Sequence, residues 1–207
     1  MTNLSERDSD GVCLWFTGLP SSGKTTVAKK VERNLLDQNE RIERLDGDVV
    51  RQSLTADLGF SREDRNKNIA RVTFVAKMLQ RNDVITLCSF ITPYRAQRDH
   101  IRNNIDDVRI VHVDAPVEVC KERDPKGMYE KAEAGEIEGF TGIDAPYEEP
   151  VTPDIYLDTA NETVEESASK VVVYLEKEGF LKNTEDISAD AEDDEEIAER
   201  LKNLGYI

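Results

Sequence analysis

A glycine-rich loop near the start of the chain carries the residue types that bind nucleotide phosphates. The segment 18–25 matches GxxxxGK[ST], directly after an apolar run and at the start of a segment with helical periodicity. Its glycines let backbone N–H groups approach phosphate oxygens, and the N-terminus of a helix adds positive potential. Lys24 is placed to reach the β- and γ-phosphates, and Thr25 to ligate Mg²⁺. The loop therefore predicts a site for ATP and Mg²⁺. The predicted nucleotide-binding residues of the loop are Gly18, Leu19, Pro20, Ser21, Ser22, Gly23, Lys24, Thr25 and Thr26.

Two carboxylates follow the second apolar run of the chain, in the segment Leu45-Asp46-Gly47-Asp48. Ligand sites of α/β proteins form at the carboxyl ends of the strands, so one of these carboxylates is expected to face an acceptor molecule. We assign Asp48 the role of orienting an acceptor hydroxyl and receiving its proton. The alternative is that Asp48 caps the helix that follows, and the two roles can coexist.

Short apolar runs rich in β-branched residues alternate with segments whose apolar residues recur at helical spacing. The runs read as strands are Val12–Thr17, Ile42–Asp46, Val84–Phe90, Val108–Asp114 and Ile155–Asp158. The segments read as helices are Lys24–Gln38, Arg62–Arg81, Pro93–Ile105, Val117–Arg123 and Val164–Glu178.

This alternation predicts an α/β fold of the P-loop NTPase class, with a parallel sheet flanked by helices on both faces. Residues 11–181 are expected to form one P-loop kinase domain. Within it, about 124–153 is rich in glycine, proline and charge, and is predicted to be a lid. Residues 1–10 are expected to be flexible, and 182–207 to be an acidic linker with a short amphipathic helix.

The composition indicates which partners the protein is not expected to bind and in which cellular compartment we expect it. The 43 acidic against 27 basic residues give a formal charge of −16, which argues against nucleic-acid and anionic-membrane binding. No apolar run approaches the ~20 residues that cross a bilayer, so we expect a cytoplasmic protein. Cys13, Cys88 and Cys120 stand singly in apolar segments, which fits buried, reduced thiols better than disulfides or a zinc site.

Other classes of P-loop protein fit less well. A GTPase would carry an NKxD segment after a late strand, whereas Asn66-Lys67-Asn68-Ile69 falls early, in a predicted helix, and lacks the aspartate. A motor ATPase usually ends an apolar strand in an aspartate, whereas the third predicted strand ends in Ser89-Phe90.

The motifs together resemble the adenylyl-sulfate kinase family. The matching blocks are residues 16–25, 45–51, 57–61, 64–69, 89–95, 123–127 and 135–147. The family phosphorylates the 3′-hydroxyl of adenosine 5′-phosphosulfate (adenylyl sulfate) with ATP. The resemblance implies the five-stranded parallel core and lid of nucleoside-monophosphate-kinase-like proteins, and a role in sulfate activation.

The resemblance also implies roles for individual residues. Lys24, Asp48 and Thr92 would be catalytic, and Arg123 would contact the adenine of ATP. Planar bases gain from aromatic faces, and guanidinium groups pair with phosphate or sulfate oxygens. The implied substrate-binding residues are Asp48, Arg51, Phe60, Arg65, Asn68, Ile91, Thr92, Lys126 and Phe140.

One position departs from the family pattern. The family block usually has a serine, which has been held to form a phosphorylated intermediate, where this chain has Thr92. Direct in-line transfer to the acceptor needs no enzyme nucleophile, so we expect Thr92 to line the pocket.

Two other functions stay open at this stage: a P-loop kinase for another small-molecule acceptor, such as a sugar acid or a nucleoside, and a nucleotide-binding regulatory module without catalysis. The presence together of Lys24, Thr25, Asp48 and a lid argues against the second. The resemblance also suggests a homodimer, and the C-terminal segment suggests noncovalent assembly with a sulfate adenylyltransferase.

Overall fold

The five apolar runs form one parallel sheet in a computed structural model that describes residues 11–181. The strands are β1 (Cys13–Thr17), β2 (Ile42–Asp46), β3 (Ile85–Ser89), β4 (Val108–Asp114) and β5 (Ile155–Asp158). Their spatial order is β2-β3-β1-β4-β5, and every neighbouring pair is parallel. The predicted five-stranded parallel sheet is confirmed. The predictions for residues 1–10 and 182–207 lie outside the described residues.

The helices between the strands agree with the predicted segments and add two short ones. They are α1 (Lys24–Leu36), α2 (Gly47–Val50), α3 (Arg62–Gln80), α4 (Arg95–Asn104), α5 (Val117–Arg123), α6 (Met128–Glu133) and α7 (Val164–Lys177). The prediction that a helix begins at Pro93 was wrong by two residues, because Tyr94 is extended at φ −104° and ψ 138°. No helix within residues 11–181 is both long and apolar enough to cross a membrane.

Alternate residues of β1 enter two separate apolar cores, as the two-residue period of a strand requires. Leu14 and Phe16 pack on the face that is covered by α1 and α7. Cys13 and Trp15 pack on the opposite face with α3 and α4. All four of these side chains have no exposed surface, so β1 is the central strand of a three-layer α/β domain.

A third apolar cluster lies beneath the segment predicted to be a lid. The Tyr129 ring of α6 meets Phe140 edge to face, with 4.9 Å between ring centroids, and Cys120 of α5 is buried in the same cluster. The Tyr129 hydroxyl donates to the Pro20 carbonyl of the P-loop at 2.9 Å. Residues 124–153 therefore pack on the domain through their own small core.

The cysteines occupy apolar surroundings as the sequence predicts. Cys13, Cys88 and Cys120 are all buried and free of disulfides. The sulfur atoms of Cys13 and Cys88, on neighbouring strands, are 3.8 Å apart. Their role is that of small core residues.

The strand order determines where a ligand can bind. The chain leaves β1 toward β2 and β3 on one side and later reaches β4 and β5 on the other, so the connections diverge beside β1. A crevice forms at such a point, beyond the carboxyl ends of the strands. Thr17, Asp46 and Ser89 end the three strands that meet there.

Candidate active site

A cavity of about 870 Å³ lies at this crevice and brings together most of the predicted site residues. This volume is near the upper end of the range for ligand pockets, about 300–1,000 Å³. The predicted residues that line it are Pro20, Ser21, Gly23, Lys24, Thr25, Thr26, Asp48, Arg51, Phe60, Arg65, Asn68, Ile91, Thr92, Arg123, Lys126 and Phe140. Every predicted substrate-binding residue is among them.

Three predicted residues of the P-loop do not line the cavity, because they pack beneath the loop. A Cβ atom on Gly18 would lie 2.2 Å from the Val113 carbonyl oxygen, so only glycine fits there. The Leu19 side chain packs in the cluster under the lid, and the Ser22 hydroxyl is buried. These residues shape the loop from below, while Gly23 at φ 99° turns it into α1.

Lys24 is buried at the first position of α1 and folds back onto the loop. Its ammonium group donates to the Leu19 carbonyl at 2.6 Å and to the Gly18 carbonyl at 3.0 Å. Burial lowers the pKa of Lys24 to about 8, against the weaker opposing effect of nearby charges that include Asp46 and Asp48. Desolvation outweighs these carboxylates because they do not contact the ammonium group directly.

Thr25 is joined to Asp46, a site residue that the sequence analysis did not assign. The Thr25 hydroxyl donates to Asp46 Oδ2 at 2.7 Å. Asp46 Oδ1 accepts the Asp48 N–H at 3.0 Å, so Asp46 is the N-cap of α2. The capping role considered for Asp48 was therefore placed on the wrong carboxylate. The position of Asp46 at the end of β2 was the signal for it in the sequence.

Thr25 and Asp46 offer two oxygen donors suited to Mg²⁺. Both residues line the cavity beside Lys24. Mg²⁺ in kinase sites is held by one or two protein oxygens together with phosphates and waters, rather than by a protein cage. The donor set therefore fits the ion.

Asp48 lies across the cavity mouth from residues 124–153, the segment predicted to be a lid and hereafter called the lid. Its Oδ2 atom accepts a hydrogen bond from the Lys126 ammonium group at 2.5 Å. Both side chains are mainly exposed, so this pair contributes little to folding stability. The pair instead brings Lys126, near the start of the lid, close to the turn that follows β2.

Arg51 and Arg65 meet at the exposed ring of Phe60. The Arg51 guanidinium lies 4.3 Å from the ring centroid, and that of Arg65 lies 5.9 Å away. Arg65 also donates to the Gly139 carbonyl at 2.8 Å and to the Thr141 hydroxyl at 3.3 Å. Arg65 thus connects α3 to the lid, and 62% of Phe60 stays exposed beside the cavity.

Phe140 lines the same cavity from the lid, yet it is largely buried. Its ring packs on Tyr129, so it belongs to the lid core and presents only part of its surface to the cavity. The Asp144 carboxylate accepts the N–H groups of Gly139 and Phe140, each at 2.6 Å. These bonds hold the turn that carries the ring.

Two buried oxygens in the cavity wall have no hydrogen-bond partner within the described part of the chain. They are Asn68 Oδ1 on α3 and Ser89 Oγ at the end of β3. Buried polar atoms are almost always paired, so such atoms in a cavity wall indicate that a ligand supplies the partner. Ser89 is a further residue that the sequence analysis did not assign.

Arg123 lies at the opposite end of the cavity, against the loop that follows β5. Its guanidinium donates to the Thr159 carbonyl at 2.5 Å, and the Thr159 hydroxyl donates to the Ser22 carbonyl at 2.7 Å. Thr163 and Ser167 of the next segment line this end as well. Their position after β5 could have suggested a place at the ligand site, but threonine and serine are too common for the residue type to indicate it.

The comparisons with known proteins agree with this geometry. The family model described as adenylylsulphate kinase matches residues 10–158. An adenylyl-sulfate kinase from Halothermothrix orenii is 57% identical over 183 residues, which cover 88% of this chain and 99% of that protein. A probable adenylyl-sulfate kinase from Pseudomonas aeruginosa is 60% identical over 162 residues, covering 78% of this chain and 76% of that protein.

A solved structure is similar over most of the described residues. It is the Mycobacterium tuberculosis APS kinase in complex with AMPPNP and APS, with a TM-score of 0.78 and 43% identity, covering 81% of this chain and 99% of that one. The matched family model spans the P-loop, the Asp46 to Asp48 turn and residues 124–153, which build most of the cavity. The chain therefore belongs to the adenylylsulphate kinase family.

Proposed function

We propose that this protein transfers the γ-phosphoryl group of ATP to the 3′-hydroxyl of adenylyl sulfate, which yields ADP and 3′-phosphoadenosine 5′-phosphosulfate. The observation that carries the proposal is a single cavity in which a P-loop adjoins a second compartment with two phenylalanines and two arginines. Phe60, Phe140, Arg51 and Arg65 suit a base with an anionic tail. Family relatives named adenylyl-sulfate kinase support the same acceptor.

In this proposal the P-loop holds the triphosphate of ATP. The phosphate oxygens take over the Lys24 ammonium group from the Gly18 and Leu19 carbonyls, with which it pairs in the free protein. Its charge then offsets the negative charge that develops on the transferred group. Arg123 contacts the adenine of ATP at the far end of the cavity.

Thr25, through its hydroxyl, and Asp46, through its carboxylate, are the residues that would hold Mg²⁺. When bound, the ion neutralises phosphate charge during transfer. The hydrogen bond between the two side chains keeps these oxygens together before the nucleotide arrives. Capping of α2 by Asp46 fixes the carboxylate in place.

Asp48 acts on the acceptor. Its carboxylate orients the 3′-hydroxyl, whose oxygen forms the new bond to the γ-phosphorus as the bond to the ADP oxygen breaks. The hydroxyl proton passes to Asp48. Lys126 leaves its ion pair with Asp48 for the phosphosulfate, so that the carboxylate becomes free as the acceptor binds.

The acceptor adenine lies between Phe60 and Phe140, and its phosphosulfate meets Arg51 and Arg65. The side-chain oxygen of Asn68 has no partner in the described structure, and it accepts a hydrogen bond from the bound adenylyl sulfate. The contacts from Arg65 to Gly139 and Thr141 keep the lid over the cavity, which excludes water from the reaction.

Transfer is direct in this proposal, and Thr92 lines the acceptor compartment with Ile91. The Thr92 hydroxyl accepts the indole N–H of Trp15 at 2.8 Å, which directs it toward the buried side of the turn. A covalent phosphothreonine at this position is the competing mechanism. Loss of turnover in Thr92→Ala with unchanged binding of adenylyl sulfate would favour that mechanism.

Cytoplasmic location, a homodimer and association with a sulfate adenylyltransferase stay predictions. Each has its own measurement: cell fractionation, sedimentation of the purified chain, and co-purification after deletion of residues 183–207. An unchanged yield of the adenylyltransferase after that deletion would remove the C-terminal segment from the association.

The test of the function is ADP release by the purified protein with ATP and Mg²⁺, with and without adenylyl sulfate. We expect strong release only with adenylyl sulfate, and loss of about a hundredfold or more in Asp48→Asn, since general-base catalysis contributes about 10²–10⁴-fold. Asp106→Asn is the matched control, because Asp106 is exposed just before β4, at the amino edge of the sheet. Activity with gluconate or shikimate instead would identify a kinase for another acceptor, and binding of ATP with no turnover on any acceptor would identify a regulatory module.

A further inference from the structure

The turn between β3 and α4 has a backbone conformation that its own residues disfavour. Thr92 has a φ of 46°, in the left-handed region. A β-branched residue is an outlier there, and a residue before proline, as Thr92 is before Pro93, prefers extended backbone. Such strain persists only where surrounding structure holds it.

Three buried donors from outside the turn hold this conformation. The Trp15 indole N–H donates to Thr92 Oγ1 at 2.8 Å. The Arg98 guanidinium donates to the Thr92 carbonyl at 2.7 Å, and the Thr17 hydroxyl donates to the Ile91 carbonyl at 2.7 Å. All three donor residues are at most 4% exposed. The turn is therefore bound at both carbonyls and at its side chain.

Of these three hydrogen bonds, the one from Trp15 joins two side chains, so it depends on the residue type at both positions. An indole nitrogen can only donate, and a buried donor without a partner destabilises the fold. Trp15 has no exposed surface and lies in the core between β1 and α3, away from the cavity wall. The Thr92 hydroxyl is its hydrogen-bond acceptor. The two residues, 77 positions apart in the chain, thus stabilise one another.

We propose that Trp15 is a positioning residue of the kinase reaction, which acts by holding the strained Ile91–Thr92 turn in the shape that contacts the acceptor. The inference rests on the proposed function, since it takes Ile91 and Thr92 as part of the acceptor compartment. Trp15 itself touches neither ligand. Its influence falls on the acceptor rather than on ATP, because the cavity wall it supports lies beyond β3, on the acceptor side of β1.

The kinetic test compares Trp15→Phe with Ile110→Val, a control that removes a methylene from the same core without touching the turn. We expect Trp15→Phe to reduce kcat/KM for adenylyl sulfate about ten- to a hundredfold, since a small misplacement of a binding group has effects of that size. The KM for ATP should change less than about twofold, because the substitution is expected to disturb the acceptor compartment and not the whole protein. Equal effects on both substrates, or wild-type kinetics for the acceptor, would overturn the proposal.

A double-mutant cycle separates positioning from packing. Glycine adopts a φ of 46° without strain, so Thr92→Gly removes the need for the indole contact. In the Thr92→Gly background, Trp15→Phe should reduce kcat/KM for adenylyl sulfate by a factor at least about fivefold smaller than in the parent protein. Such non-additivity is expected only of residues that act together. Additive effects would refute the coupling.

A spectroscopic measurement tests the contact without activity. The chain has a single tryptophan, so its indole N–H gives one resonance in a ¹⁵N-correlated NMR spectrum. Thr92→Ser keeps the acceptor oxygen and should preserve the slow exchange of this proton with water, whereas Thr92→Val should accelerate it by about tenfold or more, in line with the loss of one hydrogen bond of about 1.4 kcal/mol. Unchanged exchange in Thr92→Val would overturn the contact.

These experiments distinguish a failure of the proposed function from a failure of the positioning role of Trp15. Absence of any response to adenylyl sulfate in the parent protein would refute the proposed function, while the exchange rates would still decide whether Trp15 holds Thr92. If Trp15→Phe does not fold, the comparison of Thr92→Val with Thr92→Ser decides instead. Thr92→Val must lose at least about tenfold more acceptor kcat/KM than Thr92→Ser, through a higher KM for adenylyl sulfate, for the proposal to stand; a loss in kcat alone would overturn it in favour of the phosphothreonine.

Discussion

Nucleotide affinity should fall as the pH rises through the pKa of Lys24. Burial lowers this pKa to about 8 in the free protein, whereas the phosphates of a bound nucleotide favour the charged ammonium group and raise it again in the complex. Binding above about pH 8 must therefore take up a proton. The affinity weakens with increasing pH because that proton has to be supplied from solution.

The magnitude follows from the fraction of Lys24 that is charged before binding. A pKa of about 8 gives about nine-tenths charged at pH 7 and about one-tenth at pH 9. The dissociation constant should therefore rise about tenfold over this range, or about 1.4 kcal/mol. Burial lowers the pKa of His112, and the pKa of Tyr147 is raised to about 12, so neither group titrates in this window.

The assay is calorimetric titration of ADP with Mg²⁺ into the protein at both pH values, in buffers of different ionisation enthalpy that reveal proton uptake. Lys24→Met, which cannot titrate, is the control and should bind more weakly with no rise in the dissociation constant between the two pH values. The unfolding free energy of the free protein should change in the opposite direction. It should rise as the pH increases from about 8 to about 10.5, because Lys24 then holds fewer protons in the folded chain than in the unfolded one. A dissociation constant that is the same at both pH values, or the same slope in Lys24→Met, would refute the reasoning.

Three further changes test the cavity and the helices. Phe60→Ala should raise the KM for adenylyl sulfate about tenfold through lost base stacking, and Phe74→Ala, at a similarly exposed ring on α3, should leave it unchanged; equal effects of the two would contradict a base sandwich. Thr163→Ala removes the capping box with Glu166 and should lower the unfolding free energy by about 1 kcal/mol in urea titrations, where no loss would argue against the cap. Arg65→Met should accelerate limited proteolysis within residues 124–153, since it removes hydrogen bonds to the lid, and an unchanged cleavage rate would show that other contacts hold it.

The strands and the P-loop could be predicted because each is a local pattern. The β1 residues are apolar on both faces, and its five positions are all buried between two helical layers. The helix α6 was missed, and α2 was considered only through a cap at Asp48. These helices have only six and four residues, too few for a periodicity to emerge from polar surroundings. The cap of α2 is a local hydrogen bond from the Asp48 N–H to Asp46, whereas α6 packs through Tyr129 on Phe140, which is a tertiary contact.

The site could be predicted by residue type but not by contact. The carboxylates after β2 indicated an acceptor site, yet only the structure shows that Asp46 meets Thr25 while Asp48 meets Lys126. The contact between Trp15 and Thr92 joins β1 to the turn after β3 through the interior, and no spacing rule predicts it. The positive φ of Thr92 was equally hidden, since β-branched residues before proline normally favour extended backbone.

The strand order has a consequence for how such an enzyme can be altered. Most residues assigned to the acceptor follow β2 and β3 on one side of β1, and residues 124–153 add Lys126 and Phe140. Arg123 and Thr159, assigned to the ATP end, lie beside β4 and β5 on the other side. A change of acceptor can therefore be engineered in the turns after β2 and β3 with the ATP end left intact. Asp46 is the exception, because it belongs to both halves: it caps α2 on the acceptor side and bonds Thr25 on the nucleotide side. A library that varies acceptor preference should hold this one position constant.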